Sequence, residues 1–157
     1  MAQVTRATKL LDEAGISYAL RSYDYDPGAD SIGRAAADAL GVEPAQVFKT
    51  LMVLADGKPA CAIGPSDGEV SLKRVAAALG AKAAVMMRPA DAERMTGYKV
   101  GGISPFGQMR RVPAVIDETA LLWDAVYLNG GQRGLQVLLS GEDAVRVLGA
   151  VVADIAA

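Results

Sequence analysis

Histidine is absent from this 157-residue chain, and cysteine occurs once, at Cys61. Without histidine there is no ordinary acid–base group titrating near neutrality, no Ser–His or Cys–His nucleophile pair, and little scope for a zinc site. A lone cysteine excludes an intrachain disulfide, so a reducing compartment is acceptable. Cys61 lies in the apolar run Pro59–Ile63 and reads as a buried, inert thiol, with a nucleophile as the alternative. No apolar run approaches the ~18 residues that would suggest a membrane span. The opening segment MAQVTRATKLLDEAG lacks the apolar core and cleavage site of a signal peptide and reads as an amphipathic helix. These absences predict a cytoplasmic protein with no cofactor and no metal. Any chemistry then falls to Lys, Asp/Glu, Tyr, hydroxyls, backbone dipoles or the substrate itself.

What is present is a chain 52% hydrophobic, rich in Ala and Val, and long enough to form one domain over residues 1–157. Val4, Ala7, Leu10, Leu11 and Ala14 follow helical spacing, with Gly15 as the stop. Ile16–Tyr23 alternates as a strand and enters the turn-rich Asp24–Asp30. Ser31 is placed to cap a second helix that buries Ile32, Ala35, Ala36, Ala39 and Leu40 and ends at Gly41. Val47–Leu54 and the run through Ile63 flank Asp56-Gly57 and predict a central hairpin. A helix over Ser71–Leu79, a strand over Ala83–Met87 and a helical turn over Pro89–Met95 follow. Strands are predicted at Val112–Ile116, Ala125–Leu128 and Leu135–Leu139, then a helix from Ser140 to Leu148 and a final run Val151–Ile155. This order lacks a regular βαβ repeat, which predicts an α+β (mixed α/β) fold around a mixed, barrel-like sheet.

Charge is unevenly spread. Lys73 to Arg111 carries eight basic residues against two acidic ones, a local +6 that leaves −8 for the rest of a chain whose net charge is −2. An anionic partner, nucleic acid or a phosphorylated ligand, suits that basic third; a solvated helix face is the alternative. Within it, Thr96–Gln108 reads TGYKVGGISPFGQ. Gly97, Gly101, Gly102 and Gly107 permit close approach of another molecule and Pro105 stiffens the turn, so this is either a binding loop or a tight connection. Lys49 is a second oddity. Its period-two neighbours Val47, Leu51 and Val53 belong to a face that wants burial, so its ammonium either snorkels to water or meets a ligand in a cleft.

Several segments together resemble the YbaK family, bacterial aminoacyl-tRNA deacylases related to the editing domain inserted in prolyl-tRNA synthetases. They are Tyr23 with Pro27–Ala29, VFKTL at 47–51, ALGAK at 78–82, the glycine loop 96–108, and GQRGL at 131–135. The resemblance implies a mixed, barrel-like sheet flanked by helices and hydrolysis of mischarged tRNA, most of all Cys-tRNA(Pro). It also implies a transient association with prolyl-tRNA synthetase. Lys49 takes the place of the family's essential lysine, next to Thr50, and Tyr23 that of a pocket aromatic. Gly101, Gly102, Ile103, Ser104 and Pro105, followed by Phe106, take the place of the loop that holds the 3′-terminal aminoacyl-adenosine. The GxRGL turn falls on Gly131, Arg133, Gly134 and Leu135. The same resemblance implies that the substrate's own thiol attacks the ester, so that the protein need supply no nucleophile.

Three positions depart from the family pattern. Gln136 replaces an acidic residue and offers only neutral hydrogen bonds, Asn129 replaces a serine, and Tyr25 replaces a histidine. With Tyr23, these positions set the amino-acid preference, and alanine in place of cysteine stays open. A tRNA-end binding module with weak catalysis is the reading from a different class. A small-molecule esterase is disfavoured by the missing histidine and nucleophile elbow.

Overall fold

The computed structural model describes residues 4–157. Met1–Gln3, part of the predicted first helix, lie outside the described residues. Thr5 caps α1 (Arg6–Glu13): its hydroxyl accepts from Thr8 N at 3.1 Å, and the Thr8 hydroxyl accepts from Thr5 N at 2.8 Å. This cap holds Thr5 extended, so Val4 precedes the helix and is 81% exposed instead of buried. Ile16 N closes back on Leu11 O at the helix end, which delays β1 to Ala19–Ser22.

Ser31 caps α2 (Ile32–Leu40) as expected, accepting from Arg34 N, and Gly41 terminates it in the left-handed region. Its buried face is centred on Ala36 and Ala37, which pack on Val47 and Tyr127, so Ala39 is exposed where burial was expected. β2 (Phe48–Ala55) and β3 (Lys58–Pro65) form the predicted hairpin, with Asp56 and Gly57 both at positive φ in its two-residue turn. Then come α3 (Leu72–Ala78), β4 (Ala84–Met86), α4 (Pro89–Thr96) and β5 (Ala114–Asp117). β5 starts two residues later than predicted because Pro113 has no N–H; its carbonyl accepts from Cys61 N at 2.9 Å. A 3₁₀ turn (Glu118–Leu121) leads to β6 (Val126–Asn129), β7 (Leu135–Leu139), α5 (Gly141–Leu148) and β8 (Val151–Ala153).

Five strands pair in the order β4-β2-β3-β5-β8 and three in the order β1-β7-β6. The β2–β3 pair is antiparallel, while β3–β5 and β5–β8 are parallel, so the sheet is mixed as anticipated. Among the described residues a single parallel bridge, Val47–Tyr127, joins the two groups, and the assembly stays open instead of closing into a complete barrel. One core, built on Phe48, Met52, Ile63, Phe106, Ile116 and Leu128, is covered by α1 and α5; a second, on Val53, Val75, Val115 and Ile155, lies under α3. Each such side chain contributes roughly 1.5–3 kcal/mol by leaving water, enough to fix the strand register on which the site depends. Among the described residues no helix is long and apolar enough to cross a membrane.

Candidate active site

One edge of β2 pairs with β3 along its whole length, from Phe48–Pro65 to Ala55–Lys58. The other edge touches β6 only at the Val47–Tyr127 bridge and meets β4 only from Val53 onward. Residues 48–52 therefore face a gap in the sheet. Ser66 N donates to Val47 O on the β3 side, whereas Met87 N donates to Met52 O on the opposite side. By the alternation of an antiparallel strand, the main-chain N–H and C=O of Thr50 point into the gap. A cleft of about 420 Å³ occupies it.

Lys49 stands on the wall of this cleft, half-buried, and its Nζ donates to Gly68 O at 2.7 Å. Among the described residues it has no ion-pair partner: a neutral carbonyl on the loop after β3 holds it. That loop is itself fastened, since Arg34 Nη2 donates to Asp67 O at 2.7 Å and Ala157 N to Glu69 O at 2.9 Å. Asp30 and Glu69, both exposed, are the acidic residues that line the same cleft.

The facing wall is the glycine loop, clasped by the turn between β6 and β7. Asn129 Nδ2 donates to Gly101 O at 3.3 Å while its Oδ1 accepts from Gly131 N at 2.7 Å, so one side chain ties the two together. Arg133 Nε donates to Val100 O at 2.9 Å, and its guanidinium lies 5.3 Å from the centre of the Tyr25 ring. Two glycines are obligatory here. A Cβ on Gly102 would lie 2.8 Å from Arg133 N, and Gly101, at φ +88°, packs against the Tyr25 hydroxyl.

Of the sequence-predicted residues, the structure gathers Lys49, Thr50, Gly101, Ile103, Asn129 and Gln136 around the cleft. The others stand behind it. Ser104 is fully buried, its hydroxyl accepting from Phe106 N at 3.1 Å and its carbonyl from Gln108 Nε2 at 3.0 Å. Phe106 is a core side chain, and Pro105 faces a smaller cavity of about 130 Å³ bordered by α1 and α5. Gly131 packs on Tyr98 and Thr5, and Gly134 brings the turn against Tyr23 O, whereas Gly102 and Arg133 form the clasp just described. Tyr23 also lies behind the wall. Burial raises its pKa, opposed by the neighbouring Gln136 side chain and the Gly134 backbone. Gln136 approaches the Tyr23 hydroxyl without reaching hydrogen-bond geometry, so both that hydroxyl and Gln136 Oε1 are buried without a partner, as is Thr50 Oγ1.

Asp30, Glu69, Met52, Met86 and Met87 also line the cleft and carried no signal in the sequence, and Val100 joins them from within the glycine loop. Only the chain path brings them together: Asp30 ends a turn-rich stretch and Glu69 sits in an ordinary polar turn. Cys61 is buried beside the smaller cavity, and its thiol is pushed up to about 12 by burial, with Gln108 opposing, so it is protonated and unreactive at neutral pH. The basic segment divides in two. Arg88 and Arg94 share Asp91, Arg74 pairs with Asp154, and Arg111 caps the carbonyls of Val147 and Leu148 at the end of α5. Lys99, exposed beside Val100, remains turned to solvent next to the cleft. Among the described residues no group of three or more potential metal ligands occurs.

Residues 26–147 match the sequence model of the aminoacyl-tRNA editing domain. A protein of Enterococcus faecalis bearing the provisional name Cys-tRNA(Pro)/Cys-tRNA(Cys) deacylase EbsC is 32% identical over 142 residues, 89% of this chain and 85% of that one. The proline–tRNA ligase of Acidithiobacillus ferrooxidans is 34% identical over 95 residues, which span 60% of this chain but 16% of the ligase. A crystal structure described provisionally as a trans-editing enzyme for prolyl tRNA synthetase, 21% identical, has the same fold, with a TM-score of 0.82 over 99% of both chains.

Proposed function

The chain belongs to the aminoacyl-tRNA editing-domain family, and from its cleft we propose that it is a deacylase that hydrolyses mischarged tRNA in trans, with Cys-tRNA(Pro) as its preferred substrate. The observation that carries this reading is the position of Lys49, held by a carbonyl alone at a gap in β2 and faced by the backbone of Gly101 and Ile103. A 3′-terminal aminoacyl-adenosine entering the gap meets an ammonium able to hold ribose or phosphate, together with main-chain donors that no side chain obstructs. Thr50 N–H points to where an ester carbonyl can lie, and donors aimed at a developing oxyanion are worth roughly 3 kcal/mol each in acyl transfer.

The cleft presents no Ser–His or Cys–His pair, and Cys61 is outside its lining. On this reading the cysteinyl thiolate of the substrate attacks its own ester carbonyl. The carbon–sulfur bond forms, the carbonyl carbon–ribose oxygen bond breaks, the tRNA oxygen takes up a proton, and a cyclic thioester leaves. The neutral Gln136 in the cleft wall favours a second reading, Ala-tRNA(Pro) with water as the nucleophile, or tRNA-end binding with little turnover. The tRNA partner is tRNA(Pro), engaged in passing association with prolyl-tRNA synthetase.

The test is a deacylation panel of Cys-, Ala- and Pro-tRNA(Pro). Rapid loss of cysteine with proline retained is the expected result. Faster loss of alanine selects the second reading, and no loss above background from any of the three overturns the assignment as a deacylase.

A further inference from the structure

Three residues lining the cleft carry a formal charge, Lys49, Asp30 and Glu69. The lysine is answered by the neutral Gly68 carbonyl at 2.7 Å, and among the described residues neither carboxylate takes part in a hydrogen bond or ion pair. A site for phosphate alone would not line one cleft with two unpaired acidic residues and a single ammonium, since each acidic residue disfavours the anion. The pattern instead suits a ligand that carries a negative and a positive group a few ångströms apart. An aminoacyl-tRNA terminus is such a ligand, because its phosphodiester lies on one side of the ester and its α-ammonium, largely protonated at pH 7, on the other.

A second observation sharpens this. Gln136, 5% exposed, lines the cleft with Oε1 unpartnered. An amide can supply a dipole but no counter-charge. The counter-charge must come from elsewhere in the same cleft, and Asp30 and Glu69 are its only acidic residues. Both are placed by fixed backbone. Asp30 directly precedes Ser31, the N-cap of α2, and Glu69 follows Gly68 in the loop pinned by Ala157 N and by the Val70–Ala156 bridge. One short loop thereby supplies both the carbonyl that orients the Lys49 cation and an acidic residue of the same cleft.

Resting on the editing reading, we propose that Glu69, with Asp30, recognises the α-ammonium of the aminoacyl group and makes the cleft selective for esters of free α-amino acids. Esters whose α-amino group is acylated or replaced are rejected. The carboxylates do the work that a neutral residue 136 cannot.

The test compares whichever of Cys- or Ala-tRNA(Pro) the protein deacylates with its α-hydroxy analogue, nearly the same size but without the charge, each corrected for spontaneous hydrolysis. Wild type should cleave the amino ester at least tenfold more efficiently. Glu69→Gln, and more so Asp30→Asn/Glu69→Gln, should lower kcat/KM for the amino ester about tenfold and leave the hydroxy ester within twofold, so that the preference collapses. Both side chains are exposed, and an unchanged thermal midpoint verifies the fold of the variants. Equal losses on both esters would assign the carboxylates to Lys49 alone and overturn the proposal, as would a wild type without preference. Failure of wild type on every charged tRNA is a different outcome, which removes the editing reading itself.

Discussion

The ammonium of Lys49 rests 2.7 Å from the carbonyl of Gly68, although two acidic residues, Asp30 and Glu69, line the same cleft. A carbonyl dipole orients a cation without cancelling its charge, so the ammonium stays available to phosphate or to a developing oxyanion. Lys49→Ala is therefore expected to lower deacylation by about 100-fold or more, the scale on which a single donor to a developing charge acts. Its thermal midpoint should stay near wild type, because only one hydrogen bond to a loop is lost. Unchanged turnover in the folded variant would remove Lys49 from the chemistry.

Gly102 separates steric from conformational effects, because its φ is not positive and only space forbids a side chain. A Cβ there would meet Arg133 N at 2.8 Å and Gln132 C at 3.0 Å, both main-chain atoms that cannot swing away. Gly102→Ala should cost about 1–3 kcal/mol in denaturant unfolding and widen the cleft, lowering kcat/KM. Gly28→Ala, whose Cβ would make only ordinary contact with Asp26, should leave both unchanged.

Cys61 gives a pH signature. Its folded-state pKa is raised by burial from 9.0 to about 12, so the unfolded chain loses the thiol proton first. The associated stability is complete below pH 9 and is lost as pH rises toward 12. Unfolding free energy should fall over that interval, and Cys61→Ala, less stable at neutral pH, should show a flatter decline. A thiol reagent at pH 8 should label native protein no faster than it unfolds; prompt labelling would contradict the burial.

The basic segment predicts unequal salt effects. Lys99→Ala should weaken binding of uncharged tRNA(Pro) and reduce the slope of log K against log salt by about 0.7–0.9, the counterion release of one phosphate contact. Arg88→Ala and Arg94→Ala should move that slope less, since both guanidiniums are committed to Asp91. Equal slopes for all three variants would show that these local pairs open on binding.

Helix caps and the hairpin were legible because each rests on local chemistry: Ser31 and Ser140 accept from the N–H three residues on, and Asp56-Gly57 takes the positive φ pair that its turn requires. Boundaries moved where a neighbour in space intervened, as when Ile16 closed on Leu11 or Pro113 withheld an N–H from β5. Lys49 stood out because charge conflicts with the pattern of its strand. The placement of Asp30 and Glu69 was invisible, since two polar turns 39 positions apart meet only after α2 and the β3 loop have packed. The glycine loop was recognisable as shaped backbone, yet its composition did not separate Gly101 and Ile103, which face the cleft, from Ser104 and Phe106, which are buried behind it.

Interrupted pairing along β2 also writes an alternating pattern into amide hydrogen exchange. The amides of Lys49 and Leu51 face β3 within a central hairpin and should exchange only through large openings of the sheet. The amide of Thr50, between them in sequence, faces the gap and should exchange far sooner, a fast position flanked by slow ones in a single strand. Its slowing when an acylated RNA end is added would report occupancy of the cleft at one atom, independently of any bond being broken.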